Sequence, residues 1–188
     1  MEPALLEMIN QYPFIIFNFH SDRGGENINY VVADLLQRLV IKQTKTRSRH
    51  PNNNALIETK NGAVIRKNMG WEHINQGLAD EVNDYLRNYF NPYLNYHRPC
   101  GYPTTVTDKK GKKKKAYDNY EAPYEFLKSL KNAKQYLKSG ITFDKLDKIA
   151  YKHSDNEFAA TLRKEERKLF KIIRKYDNLG GSRRKNRA

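Results

Sequence analysis

The chain has 188 residues, with 35 Lys and Arg against 21 Asp and Glu, a formal charge of +14, and 38% hydrophobic residues. So large a positive excess points to a polyanionic partner, nucleic acid first; without a long apolar stretch or a leader-like segment, a membrane role is not expected and the cytoplasm is the default location. Cys100 is the only cysteine, which excludes an internal disulfide.

Leu5, Leu6 and Ile9 suggest the tail of a helix at the start of the chain. The apolar run Phe14, Ile15, Ile16, Phe17, bounded by Pro13 and by Gly24-Gly25, predicts a buried strand with Asp22 just past its end. Open α/β sheets place ligand-binding groups at that position. From Ile28 to Leu39, apolar residues at Val31, Val32, Leu35, Leu36 and Leu39 follow helical spacing, and a short strand is expected over Val40 to Thr44. Lys45 to Asn53 is basic, polar and broken by Pro51, so it predicts a loop. Asn54 is placed to cap a helix starting at Ala55, with Glu58 about one turn in and Asn54, Glu58, Asn61, Gly62 and Ile65 on one side. Gly62 costs that helix roughly 0.5–1 kcal/mol against alanine; either a nucleic-acid strand comes close there or a packed neighbour does. Arg66 and Lys67 follow beside the exposed-looking Trp71, as phosphate contacts or as the solvated end of a helix.

Thirty-five residues separate Asp22 from Glu58. That spacing, with the neighbourhoods His20-Ser21-Asp22-Arg23-Gly24-Gly25-Glu26 and Asn52-Asn53-Asn54-Ala55-Leu56-Ile57-Glu58-Thr59-Lys60-Asn61-Gly62, resembles the last two acids of the DDE integrases and insertion-sequence transposases, the retroviral-type integrase catalytic core. The resemblance implies a ribonuclease-H-like α/β fold, DNA as substrate, and Mg²⁺ or Mn²⁺ held by Asp22 and Glu58 for two-metal strand transfer. It makes Asn54, Lys60, Arg66 and Lys67 candidate DNA contacts, and a second copy or a full-length recombinase a candidate protein partner. The family's first acid stands on a strand well upstream of the second. Only twenty-one residues precede Asp22, and Glu2 and Glu7 are not suitably placed. The expectation is an N-terminally truncated core lacking its first strands, with little or no catalysis of its own.

Gln76 to Phe90 predicts an amphipathic helix through Leu78, Val82, Tyr85, Leu86 and Tyr89. Asn91 to Pro99, with two prolines and several aromatics, predicts an extended connection. His97 and Cys100 offer two zinc ligands without a second pair, so a structural zinc is not expected. Tyr102 to Thr107 and Ala116 to Tyr120 flank a turn with six lysines, which predicts a hairpin with a basic tip. Lys112, Lys113 and Lys114 are its candidate DNA contacts, because such a run repels itself unless phosphates neutralise it.

Pro123 opens a short helix, Thr142 caps another, and Ser154 to Tyr176 predicts a longer one burying Phe158, Leu162, Leu169, Ile173 and Tyr176. The expected organisation is therefore a partial core over 1–90, a basic extended segment and hairpin over 91–126, helices over 127–176, and a disordered basic tail over 177–188. Outside the recombinase reading stands a noncatalytic DNA-binding protein or regulator. An RNA-binding protein is less favoured, since neither an RNP motif nor a GXXG loop is present.

Overall fold

The computed structural model describes residues 2–21, 25, 29–45, 61–71 and 74–185. The chain is a mixed α/β protein divided into two units, Met1–His73 and Ile74–Ala188.

In the first unit, helix α1 (Glu2–Gln11) and helix α2 (Tyr30–Arg38) bury their apolar stripes against each other and against strand β1 (Asn18–Ser21). Leu5 and Ile9 meet Val32, Leu35, Leu36 and Ile41, with Leu6, Ile16 and Phe19 packed around them. Asn29 starts α2 from an extended conformation, its side chain accepting the Val32 N–H at 2.9 Å. Strand β2 (Lys42–Lys45) pairs parallel with β1, from Asn18 opposite Lys42 to Ser21 opposite Lys45. The resulting strand–helix–strand unit is the connection that parallel pairing requires.

The strands lie a few residues later than the apolar pattern suggests. Phe14 to Phe17 precede β1, and Phe17 is 59% exposed. Val40 is not in a strand but in the turn that ends α2. Its N–H donates to Gln37 O at 3.0 Å and the next N–H, of Ile41, donates to Leu36 O at 2.8 Å. These two bonds form a Schellman cap, closed by burial of Ile41 and Leu36 in one cluster. The cap holds Val40 at φ 57°, a left-handed conformation that β-branched residues resist. Beyond β2, a π-helical turn over Asn61–Arg66 leads into helix α3 (Lys67–Met69).

The second unit is mainly helical. Asn75 caps a 3₁₀ turn over Gln76–Leu78 that leads into helix α4 (Ala79–Tyr85). Two π-helical stretches, Leu86–Phe90 and Tyr93–His97, prolong it. Residues 91–97 are thus helical, not the extended connection expected from their composition. Pro92 has φ −57° and ψ −42°, already helical, and i→i+5 bonding, as from Arg98 N–H to Tyr93 O, takes over beyond it. Strands β3 (Cys100–Thr107) and β4 (Lys113–Glu121) then form an antiparallel hairpin.

Helices α5 (Pro123–Ser129), α6 (Phe143–Ala150) and α7 (Asp155–Lys185) complete the unit. Thr142 caps α6 by accepting the Lys145 N–H. A capping box starts α7, with Ser154 N–H donating to Glu157 Oε2 at 2.9 Å and Glu157 N–H donating back to Ser154 Oγ. Of the predicted stripe, Leu162, Leu169 and Ile173 are buried and Phe158 is half-buried, while Tyr176 is partly exposed. The Tyr176 hydroxyl lies where a side chain at position 77 would be: a Cβ on Gly77 would fall 2.5 Å from it. The helix continues to Lys185, through most of the stretch expected to be a disordered tail.

Val40 is almost wholly exposed, so replacing it removes strain without opening a cavity. Val40→Gly is expected to stabilise the first unit by about 0.5–1 kcal/mol, the left-handed penalty less the entropy cost of glycine. Chemical denaturation and amide exchange across α2 would measure it, and a loss of protection there would contradict the strain.

Candidate nucleic-acid interface

Asp22, Asn54, Glu58 and Lys60 lie outside the described residues, as does the start of the helix expected from Ala55. Asp22 follows in sequence directly after Ser21, the last residue of β1. At the end of β1, His20 Nδ1 lies 2.8 Å from Thr44 Oγ1, and that hydroxyl donates to Asn18 Oδ1 at 3.1 Å. These side-chain bonds tie β1 to β2 where the strand leads toward the acid.

Arg66 and Lys67 sit together, both exposed, where the π-helical turn passes into α3. The Arg66 guanidinium lies over the Trp71 ring, 4.4 Å from its centroid, and Trp71 is itself 79% exposed. A cation held over an indole keeps its charge and has fewer positions to search, which suits contact with a phosphate. A Cβ on Gly62 would meet nothing within 4 Å.

The hairpin turn of the second unit is fixed by one carboxylate. Asp108 Oδ1 accepts the N–H groups of Lys110 and Lys112, each at 2.9 Å, and Oδ2 lies 3.3 Å from Lys114 Nζ. The Gly111 N–H donates to Asp108 O, with Gly111 at φ 74°, so the turn uses glycine where only a left-handed residue fits. The backbone bonds from Lys112 and Lys110 hold the Asp108 carboxyl below its ordinary range. Lys112, Lys113 and Lys114 are all exposed, and the turn presents them on a built scaffold. Lys114 is paired to Asp108; Lys112 and Lys113 have no ion pair among the described residues.

Behind the hairpin lies a polar network that the sequence pattern did not reveal. Tyr124, fully buried, donates to Asp147 Oδ1 at 2.6 Å, and Lys128 Nζ reaches the same oxygen at 2.6 Å. Lys128 also meets Tyr151, whose hydroxyl donates to Glu125 Oε1 at 2.8 Å. Lys128, then Tyr124, lowers the Asp147 pKa; burial, then the bond to Asp147, raises that of Tyr124. His97, also buried, shares a 2.9 Å hydrogen bond with Asp155 at the start of α7 and stacks on Phe158, its ring 4.3 Å away. Residue 97 therefore packs against α7.

A cleft of about 630 Å³ opens beside this network, lined by Glu121, Glu125, Asp155, Tyr120 and Tyr151. Its three carboxylates oppose a phosphate backbone. An open groove lined by Lys131, Lys134 and Gln135 has the opposite charge. Among the described residues no group of three or more His, Cys, Asp or Glu is gathered to hold a metal, and no helix is long and apolar enough to cross a membrane. Compared with family models, curated proteins and solved structures, the chain matches none.

Because the folded-state pKa of Asp147 is lowered, its contribution to stability is complete above the ordinary carboxylate value near 4 and is lost as pH falls through the folded value. Thermal melts between neutral pH and about pH 3 should show the second unit losing stability in acid. Asp147→Asn should lower the neutral-pH melting temperature and flatten that acid limb; an unchanged limb would exclude Asp147 as its source.

Proposed function

We propose that this chain carries part of the catalytic core of a DDE-type integrase or transposase and that its partner is DNA. The observation that carries the reading is the parallel strand–helix–strand unit, whose first strand leads in sequence into Asp22. Parallel strands joined through a helix are what the later half of a ribonuclease-H-like sheet would contribute, and the acidic residue follows the strand end where such sheets gather ligands. The charge of +14 and the lysines of the fixed hairpin turn agree with a phosphate-rich partner.

The carboxylates of Asp22 and Glu58 are hard oxygen donors, the chemistry that suits Mg²⁺ or Mn²⁺. When bound, such ions supply charge stabilisation at the attacking and leaving oxygens of a phosphodiester. Asn54, Lys60, Arg66 and Lys67 orient the DNA backbone beside those acids, and Lys112, Lys113 and Lys114 add phosphate contacts from the second unit. Two carboxylates alone hold such ions weakly, so a site made only of Asp22 and Glu58 would turn over DNA slowly or not at all. A second copy or a full-length recombinase is the proposed protein partner, and the cytoplasm is where such a protein meets DNA.

A noncatalytic DNA-binding regulator is the second reading, favoured by the hairpin turn, whose lysines are displayed without any contribution from Asp22 or Glu58. Calorimetric titration with Mn²⁺ separates the two. The wild type should bind Mn²⁺ weakly and lose it in Asp22→Ala/Glu58→Ala, while both proteins bind duplex DNA alike with affinity falling steeply as salt rises. Mn²⁺ binding that survives the double substitution would remove the catalytic-core reading and leave the regulator. Robust DNA cleavage by this chain alone would overturn the expected weak metal site.

A further inference from the structure

The hairpin has two unlike faces, and a bulge decides what stands on the outer one. Along β3, Cys100, Tyr102, Thr104 and Val106 share one face, and Tyr102 on that face stacks on Phe126 of α5 with ring centroids 3.6 Å apart. Gly101, Pro103, Thr105 and Thr107 share the other. Lys113 pairs with Thr107 and Lys115 with Thr105, so both lysines stand on this outer face. The register then slips: Thr104 pairs with Ala116 but Tyr102 pairs with Asn119, so two residues of β4 oppose one of β3. The slip brings Tyr117 and Tyr120, three apart in sequence, onto the same side.

Gly101 independently marks that placement. A Cβ there would lie 3.2 Å from the Tyr120 ring and 3.3 Å from the Tyr117 ring. Both rings rest on glycine backbone, yet Tyr117 remains 50% and Tyr120 64% exposed. Neither is hydrogen-bonded to, or stacked on, another side chain among the described residues. Lys113 and Lys115 have no ion pair among the described residues. The outer face thus carries two lysines and two tyrosines over about 20 Å of strand, with the exposed Asp118 beside Tyr117 and with Tyr120 bordering the acidic cleft.

We propose that this face binds single-stranded DNA, the lysines neutralising its phosphates and the tyrosines stacking on its unpaired bases. The choice of occupant follows from the combination. Lysines alone would serve any polyanion, but two exposed ring faces held beside them favour a partner that alternates charge with flat apolar surface. Unpaired nucleotides do so, and exposed aromatics on small sheets are how such strands are bound without sequence preference. In a duplex the bases already stack on each other, leaving nothing for the rings. The inference rests on the reading of DNA as partner but not on the acids Asp22 and Glu58.

Fluorescence anisotropy of the full chain with a labelled oligothymidylate and with a duplex of equal length tests it. The single strand should bind more tightly at the same salt. Tyr117→Ala/Tyr120→Ala should weaken it about tenfold or more while changing duplex binding less than about twofold; Tyr117→Phe/Tyr120→Phe should restore it. Tyr120→Trp, made together with Trp71→Phe so that it carries the sole indole, gives a second readout, since its emission should be quenched by the oligothymidylate. Equal wild-type affinity for both forms, or equal losses on both, overturns the inference while leaving DNA binding in place. Failure to bind either form overturns it together with the DNA reading. Binding to anionic vesicles with the same tyrosine dependence would assign the face to a membrane surface and likewise overturn it.

Discussion

The hydroxyl of Tyr124 is removed from water, and the second unit is arranged so that it stays paired. A buried hydroxyl without a partner costs on the order of 1–3 kcal/mol, and Asp147 from α6 supplies the acceptor. Asp147, whose side chain is partly exposed, is in turn paired with Lys128 of α5. One oxygen therefore fastens α5 to α6. The Tyr124 ring also meets Tyr96 edge-on at 5.3 Å, which brings the helical stretch before the hairpin into the same contact. Phe126, two residues further along α5, then receives Tyr102 from β3. The hairpin could not hold its orientation as an isolated two-stranded ribbon, which is marginal in water; the stack on α5 fixes its inner face and leaves its outer face to solvent.

Charge is distributed consistently with that frame. The carboxylates Glu121, Glu125 and Asp155 gather around one cleft, whereas the hairpin tip keeps only Asp108, turned inward to accept backbone N–H groups. An acid used in this way fixes the turn while neutralising just one of the neighbouring lysines. The remaining positive charge is held by a rigid turn instead of a flexible one, so less conformational entropy is lost when a polyanion binds.

Local signals were legible in the sequence wherever a short-range rule governed the outcome. The three-and-four spacing in Tyr30 to Arg38, the cap at Thr142, Pro123 at the start of α5 and the buried stripe of α7 follow from such rules. Where two rules competed, the pattern misled. Phe14 to Phe17 has strand composition, yet the paired strand is Asn18 to Ser21, because pairing follows the partner supplied by the Schellman turn and not hydrophobicity alone. Pro92 signals a break, but its fixed φ is also a helical φ, and π-type bonding beyond it removes the need for a break. Tyr117 and Tyr120 were hidden for a third reason. Residues three apart alternate to opposite faces in a regular strand, and only the bulge, invisible to periodicity, brings them together. Of the candidate contacts, Arg66, Lys67 and Lys112 to Lys114 could be recognised by charge, whereas the partner of each could not: the indole under Arg66 and the carboxylate beside Lys114 are visible only in three dimensions.

The two parts of the DNA reading draw on different units and different physics. Carboxylates that hold a metal must converge to within a few tenths of an ångström, so chemistry at Asp22 and Glu58 is sensitive to a single missing ligand. Phosphate neutralisation and stacking degrade gradually, because each lysine and each ring contributes its own increment. On the proposed reading, binding through Lys113, Lys115, Tyr117 and Tyr120 therefore does not depend on the acids. On this view Gly101 is the informative residue of the hairpin: a Cβ there would press on both tyrosine rings, which would have to give by a few tenths of an ångström, whereas the loss of one lysine would leave the remainder of the face intact.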